Sequence, residues 1–172
     1  DIGADVIVQG GQTNNPSAED FIDAFEKLDA EHIIVLPNNG NIIMAASLAA
    51  DLYKQADVKV IETHSVAEGY SVLSMMDPSV DTVEEFIETM SAGLSNVVTG
   101  YVTTATRDVT MNGVVVEKGK YIGLDRDNIL CCTENKVSAV EKMLKALPDI
   151  NQKETVILFC GEDVTEEEKS EL

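Results

Sequence analysis

Apolar and polar positions fall into repeating blocks in the first half of the chain: a short β-branched run, a turn rich in Gly or Asn, then an apolar stripe at helical spacing. Residues 5–9 (Asp-Val-Ile-Val-Gln) read as a buried strand ending at Gly10 and Gly11. Pro16, Ser17 and Asp20 then mark a capping box, with a helix from Ala18 that lines up Phe21, Phe25 and Leu28 toward a sheet. Residues 32–36 (His-Ile-Ile-Val-Leu) are apolar on both faces, as in a parallel strand covered from both sides, and Pro37 ends them. The turn 37–41 opens a helix over 42–55, whose Ala45, Ala46, Ala49 and Ala50 permit close packing, so this is expected to be the most buried helix. Residues 58–63 give a third strand, and Ser65 with Glu68 a second capping box. Right-handed crossovers make three such strands parallel, with their loops along one sheet edge.

The pattern changes near Met76-Asp77-Pro78. A helix over 82–94, capped by Asp81, leads into β-rich sequence with two hairpins: 109–111 to 114–116 across Asn112-Gly113, and 121–124 to 129–132. Val137, Val140, Met143, Leu144 and Leu147 mark an amphipathic helix; 155–160 (Thr-Val-Ile-Leu-Phe-Cys) read as a last buried strand, and Thr165 with Glu168 caps one more helix. The expectation is an α/β lobe over residues 1–78 with three strand-loop-helix units. An α+β lobe with antiparallel hairpins follows over 79–172, its last element cut short.

Composition narrows the function. With 172 residues, 44% of them hydrophobic, a sizeable core is within reach. A net charge of -19 repels phosphate backbones and anionic lipid surfaces, which argues against nucleic acid and membrane surfaces as partners. The longest apolar stretch, 42–46, falls far short of the roughly 20 residues of a membrane span. A first residue of Asp and the lack of a basic, then apolar, leader suggest a piece of a longer polypeptide. Cys131, Cys132 and Cys160, an odd set within apolar strands, read as small buried hydrophobes in a reducing cytosol, and two His without H-x-x-x-H or C-x-x-C spacing give no zinc pattern.

Candidate chemistry gathers on the loops. The first contributes Gln12, Thr13, Asn14 and Asn15, the second Asn38, Asn39 and Asn41, and the third Thr63, His64 and Ser65. A polar rim at strand C-termini and helix N-termini is where open α/β sheets place ligands, although Gly, Asn and Pro also serve simply to turn the chain. No dinucleotide or P-loop glycine pattern is present. His64 is the one rim residue suited to acid-base work, but no Ser-His-Asp or paired-carboxylate pattern accompanies it, so no catalytic residue and no metal ligand is assigned. A small polar or acyl ligand in a cleft at these loops is one reading; an acidic face that steers a basic partner is another.

At Gly10-Gly11-Gln12-Thr13, Asn15-Pro16-Ser17, Leu36-Pro37-Asn38-Asn39, Asn41-Ile42-Ile43, Thr99-Gly100-Tyr101-Val102-Thr103, Arg107-Asp108 and Gly161-Glu162-Asp163-Val164, the chain resembles the C-terminal, DegV-like domain of the A-type subunit of fatty acid kinase. That family also carries dihydroxyacetone-kinase-like and DAK-phosphatase labels. The resemblance implies a cytoplasmic bacterial domain that is not catalytic by itself and needs no cofactor of its own. ATP and magnesium would belong to a kinase domain elsewhere in the polypeptide, making the parent protein an ATP-dependent phosphotransferase. The implied partners are a DegV-type fatty-acid-binding protein, whose fatty acid is phosphorylated, and the other domains of the same polypeptide. The chain departs from the family's usual residues at Asn14, at Gly40 and over 64–69, which takes a cation off the rim.

Overall fold

The computed structural model describes residues 3–10, 15–126, 128–161 and 164–171, in two compact units, Asp1–Val97 and Val98–Leu172. The change of pattern near residue 78 lies inside the first of these.

In the first unit, strands β1 (His32–Val35) and β2 (Asp57–Val60) pair in parallel, His32 opposite Asp57 and Val35 opposite Val60. The connection between them is helix α2 (Gly40–Leu52), and α1 (Ala18–Phe25) packs beside it. Successive residues of a strand point to opposite faces, so β1 feeds two cores. Ile33 and Val35 join Phe21, Phe25, Ile42, Ala46, Ala49 and Tyr53, with the Phe25 and Tyr53 rings edge to face at 5.4 Å. Ile34 and Leu36 turn the other way, to Ile61, Val72 and Met90. That second layer is α3 (Val66–Ser74), α4 (Val83–Ala92) and the 3-10 turn Gly93–Asn96. The parallel α/β arrangement expected from apolar, two-sided strands is present.

Three details differ from the sequence reading. Residues 5–9 are not paired as a strand: Val8 packs on the first core while Ile7 lies open to solvent. Thr82, rather than Asp81, caps α4, accepting a hydrogen bond from the Glu85 amide at 3.2 Å. Helix α2, expected to be the most buried, hides only its Ile42, Ala46 and Ala49 face.

The second unit is α+β. Strands β3 (Tyr101–Thr104), β6 (Tyr121–Asp125) and β7 (Asn128–Thr133) form an antiparallel sheet in the order β3-β6-β7, and β4 (Val109–Met111) pairs with β5 (Val114–Val116). Both hairpins stand where the turn signals placed them. Asn112 and Gly113 take φ of 53° and 79°, the two positive values a type I′ turn demands. An irregularity at Gly123/Leu124 changes the alternation of β7: Leu130 and Cys131 lie toward α5 (Lys136–Ala146), Ile129 and Cys132 toward the β4–β5 hairpin. Gly123 lets α5 sit close on the sheet, since a Cβ there would stand 2.7 Å from Met143 Cβ. Lys136 of α5 reaches Glu168 of α6 (Glu166–Glu171) at 3.4 Å.

The expected last strand is absent from this sheet. Residues 155–160 run without strand pairing, and Val156, Ile157, Leu158 and Phe159 are each about half exposed. Cys160 is exposed too, so only Cys131 is the buried thiol that all three were expected to be; Cys132 is half-buried. Among the described residues no helix is long and apolar enough to cross a membrane.

Candidate functional site: a polar rim on the first unit

Two of the three predicted loops meet at the C-terminal ends of β1 and β2. Asn38 follows Pro37 in the left-handed region, φ 59°, a conformation Asn tolerates better than most residues. That turn aims its amide at Thr63, whose fully buried hydroxyl accepts the hydrogen bond at 2.9 Å. The Asn38 side chain lies directly over Gly69 of α3: a Cβ at Gly69 would fall 2.0 Å from Asn38 Oδ1. Asn38 Oδ1 is itself buried and accepts no hydrogen bond from the described residues. Asn39 caps α2 by accepting from the Asn41 amide at 3.0 Å.

The third loop is tied to its own helix. Ser65 Oγ accepts from the Glu68 amide at 3.0 Å, the N-cap bond expected from the sequence. The Glu68 carboxylate is buried, accepts the His64 amide at 2.5 Å, and lies 3.5 Å from His64 Nδ1. His64 keeps half its side chain in solvent, and its ring abuts the start of α2, where a Cβ on Gly40 would be 3.4 Å from Cδ2. Asn38, Asn39, Asn41, Thr63, His64 and Ser65 are thus one contiguous surface. Asn15 is exposed on the approach to α1, and Gln12, Thr13 and Asn14 lie outside the described residues.

Chemically the rim presents amide and hydroxyl groups around one imidazole steadied by a buried carboxylate. It can hydrogen-bond a neutral polar surface from several directions. Two residues that shape it were not singled out as site residues. Glu68 had a signal, because Ser65-x-x-Glu68 was read as a cap and the same carboxylate also orients His64. Gly69 had the weaker signal of a glycine within a helix, which marks a close approach.

The second unit carries a shallow polar depression of about 380 Å³ beside β5, β7 and the start of α5. Lys120 lies across it between Glu134 at 2.8 Å and Glu117 at 2.9 Å, and these two carboxylates hold its ammonium well above the ordinary lysine range. At the far end of the β1–β2 sheet from the rim, Lys59 and then His32 hold the Asp57 carboxyl below its usual value.

The FakA-like C-terminal family model, which describes the C-terminal region of A-type fatty acid kinase subunits, matches residues 1–172. Protein YloV of Bacillus subtilis is 36% identical over 171 residues, which cover 99% of this chain and 30% of that protein. An uncharacterized protein of Staphylococcus haemolyticus is 36% identical over 166 residues, and one of Staphylococcus aureus is 37% identical over 163 residues. These cover 96% and 94% of this chain, and 30% and 29% of those proteins. The chain therefore spans about a third of the length of the curated relatives it matches. With a match from end to end and the two-unit arrangement in place, the chain belongs to the FakA-like C-terminal family of fatty acid kinase subunits.

Proposed function

We propose that this chain is a docking region, not itself catalytic, of a cytoplasmic fatty acid kinase. In this reading it holds a DegV-type acyl-binding protein so that the bound fatty acid is phosphorylated by a kinase domain elsewhere in the polypeptide. ATP and magnesium belong to that other domain. The observation that carries the reading is the surface. On a chain of net charge -19, large apolar side chains stay exposed in coherent sets, along α2 and along residues 156–159, where isolated surface residues would be scattered. Such sets call for cover by other protein, and family membership identifies the polypeptide as one kinase component with domains and partners to provide it.

The test is calorimetric titration of the chain with the acyl-loaded DegV-type protein of the same organism, at two salt concentrations. Saturable binding is the expected result, tighter at low salt if the acidic surface steers the encounter. No heat of binding from two folded proteins rejects docking.

A second reading makes the rim a site for a small polar or acyl ligand. The buried Asn38 Oδ1, with no donor among the described residues, favours it, because buried acceptors are rarely left unpaired. Mass spectrometry of an organic extract of the purified protein decides this reading, which a clean extract rules out.

A further inference from the structure

Helix α2 is apolar nearly all round, and only one side of it is used. Ala46 and Ala49 are completely buried and Ile42 nearly so, which locks the helix against β1, α1 and Tyr53. Met44, Leu48 and Leu52 recur every fourth residue, a spacing that draws one line down a helix. They are 83%, 52% and 58% exposed. The buried alanines allow no rotation that would hide this line. It starts one turn beyond Asn39 and Gly40, so it continues the rim along the molecule.

We infer that the Met44-Leu48-Leu52 face of α2 is the surface that grips the carrier protein, with the rim loops as its polar border. This rests on the docking function proposed above and names the surface that performs it. A second copy of the chain is a poor occupant. Two molecules of charge -19 repel, and three side chains supply a few hundred Å² against the roughly 800 Å² per partner of a stable interface. They suit the apolar centre of a larger contact, where a few residues carry most of the affinity and an unbranched Met adapts to the facing shape. Exposed Asp51 lies beside Leu48 and Leu52 on the same helix, and the chain has 31 acidic residues against 12 basic. The matching partner surface is an apolar ridge bordered by Lys and Arg.

The test uses the same titration with the intact chain and four substitutions. Leu48→Asp, and its milder form Leu48→Gln, are expected to weaken carrier binding about tenfold or more, with the far-ultraviolet circular dichroism unchanged because the site is exposed. Leu48→Met retains wild-type affinity. Val115→Asp, on the exposed part of β5, also retains it. Binding by the wild type that Leu48→Asp and Leu48→Gln leave unchanged overturns this inference and leaves docking standing. No binding by the wild type overturns both. A concentration-dependent dimer of the chain, abolished by Leu48→Asp, assigns the face to a second copy and overturns the carrier as its occupant.

Discussion

The two units are ordered by contacts of opposite range. In the first, residues far apart in sequence fix each other: Asn38 with Thr63 across 25 positions, Asn38 over Gly69, and β1 with β2 through the whole of α2. In the second, most of the register is set between neighbours. The Asn112-Gly113 turn aligns β4 with β5, and a turn at Asp125–Asn128 aligns β6 with β7. A parallel pair needs a long crossover to come together, whereas a hairpin is closed by its own turn. The first unit therefore depends on its core and the second on its turns.

The largest test of that difference is Phe25→Ala. Phe25 is buried against Tyr53, Phe21 and β1, and its loss is expected to cost about 3–5 kcal/mol. Hydrogen exchange reads the result as amide protection lost together in α1, α2, β1 and β2. Protection that persists in β1 and β2 refutes the view that the core, rather than local sequence, holds this pair.

A smaller effect is expected from Gly113→Ala. A Cβ there meets open space, so the penalty is conformational alone: about 1–2 kcal/mol for a left-handed non-glycine residue. Exchange should quicken in β4 and β5. Unchanged protection there would mean that the turn does not set this register.

The smallest contrast is in acid, between two capping boxes of the same design. Ser17 donates its backbone amide to Asp20 at 2.8 Å and holds that carboxyl below its ordinary 3.8; Thr165 does the same for Glu168 at 2.9 Å, below the ordinary 4.5. A carboxyl depressed in the folded state stabilises it above the unfolded value, and the contribution is lost as pH falls through the folded value. On acidification α6 is expected to begin fraying below pH 4.5 and α1 only below pH 3.8. Residue-resolved amide exchange between these values checks the order, and Asp20→Asn should remove the acid dependence of α1. Fraying of α1 before α6 contradicts the assignment.

Much of the fold was legible where the signal was short-ranged. Ser17 with Asp20, Ser65 with Glu68 and Thr165 with Glu168 make cap bonds between residues three apart, so each is decided within one helical turn. Asn112-Gly113 announces its hairpin for the same reason. On the site, Asn38, Thr63 and His64 could be placed on one rim because parallel strands put their loops on one edge. The partnership of Glu68 with His64, and the need for a glycine at 69, could not be read. They depend on how closely α3 approaches the Asn38 turn, a distance set by the packing of Val72, Ile61 and Met90.

The sequence by itself determined the helices, their caps, the hairpins and the two-sided apolar character of β1, because residues within a few positions of one another settle these. Only the tertiary structure decided which apolar runs become paired strands and which helix faces stay open. Residues 128–133 and 155–160 both read as buried strands, yet the first lies in a sheet and the second is exposed. Likewise the apolar pattern of α2 does not say that Ala46 faces the core and Met44 faces water. Burial needs a second surface, and the position of that surface is written in distant residues.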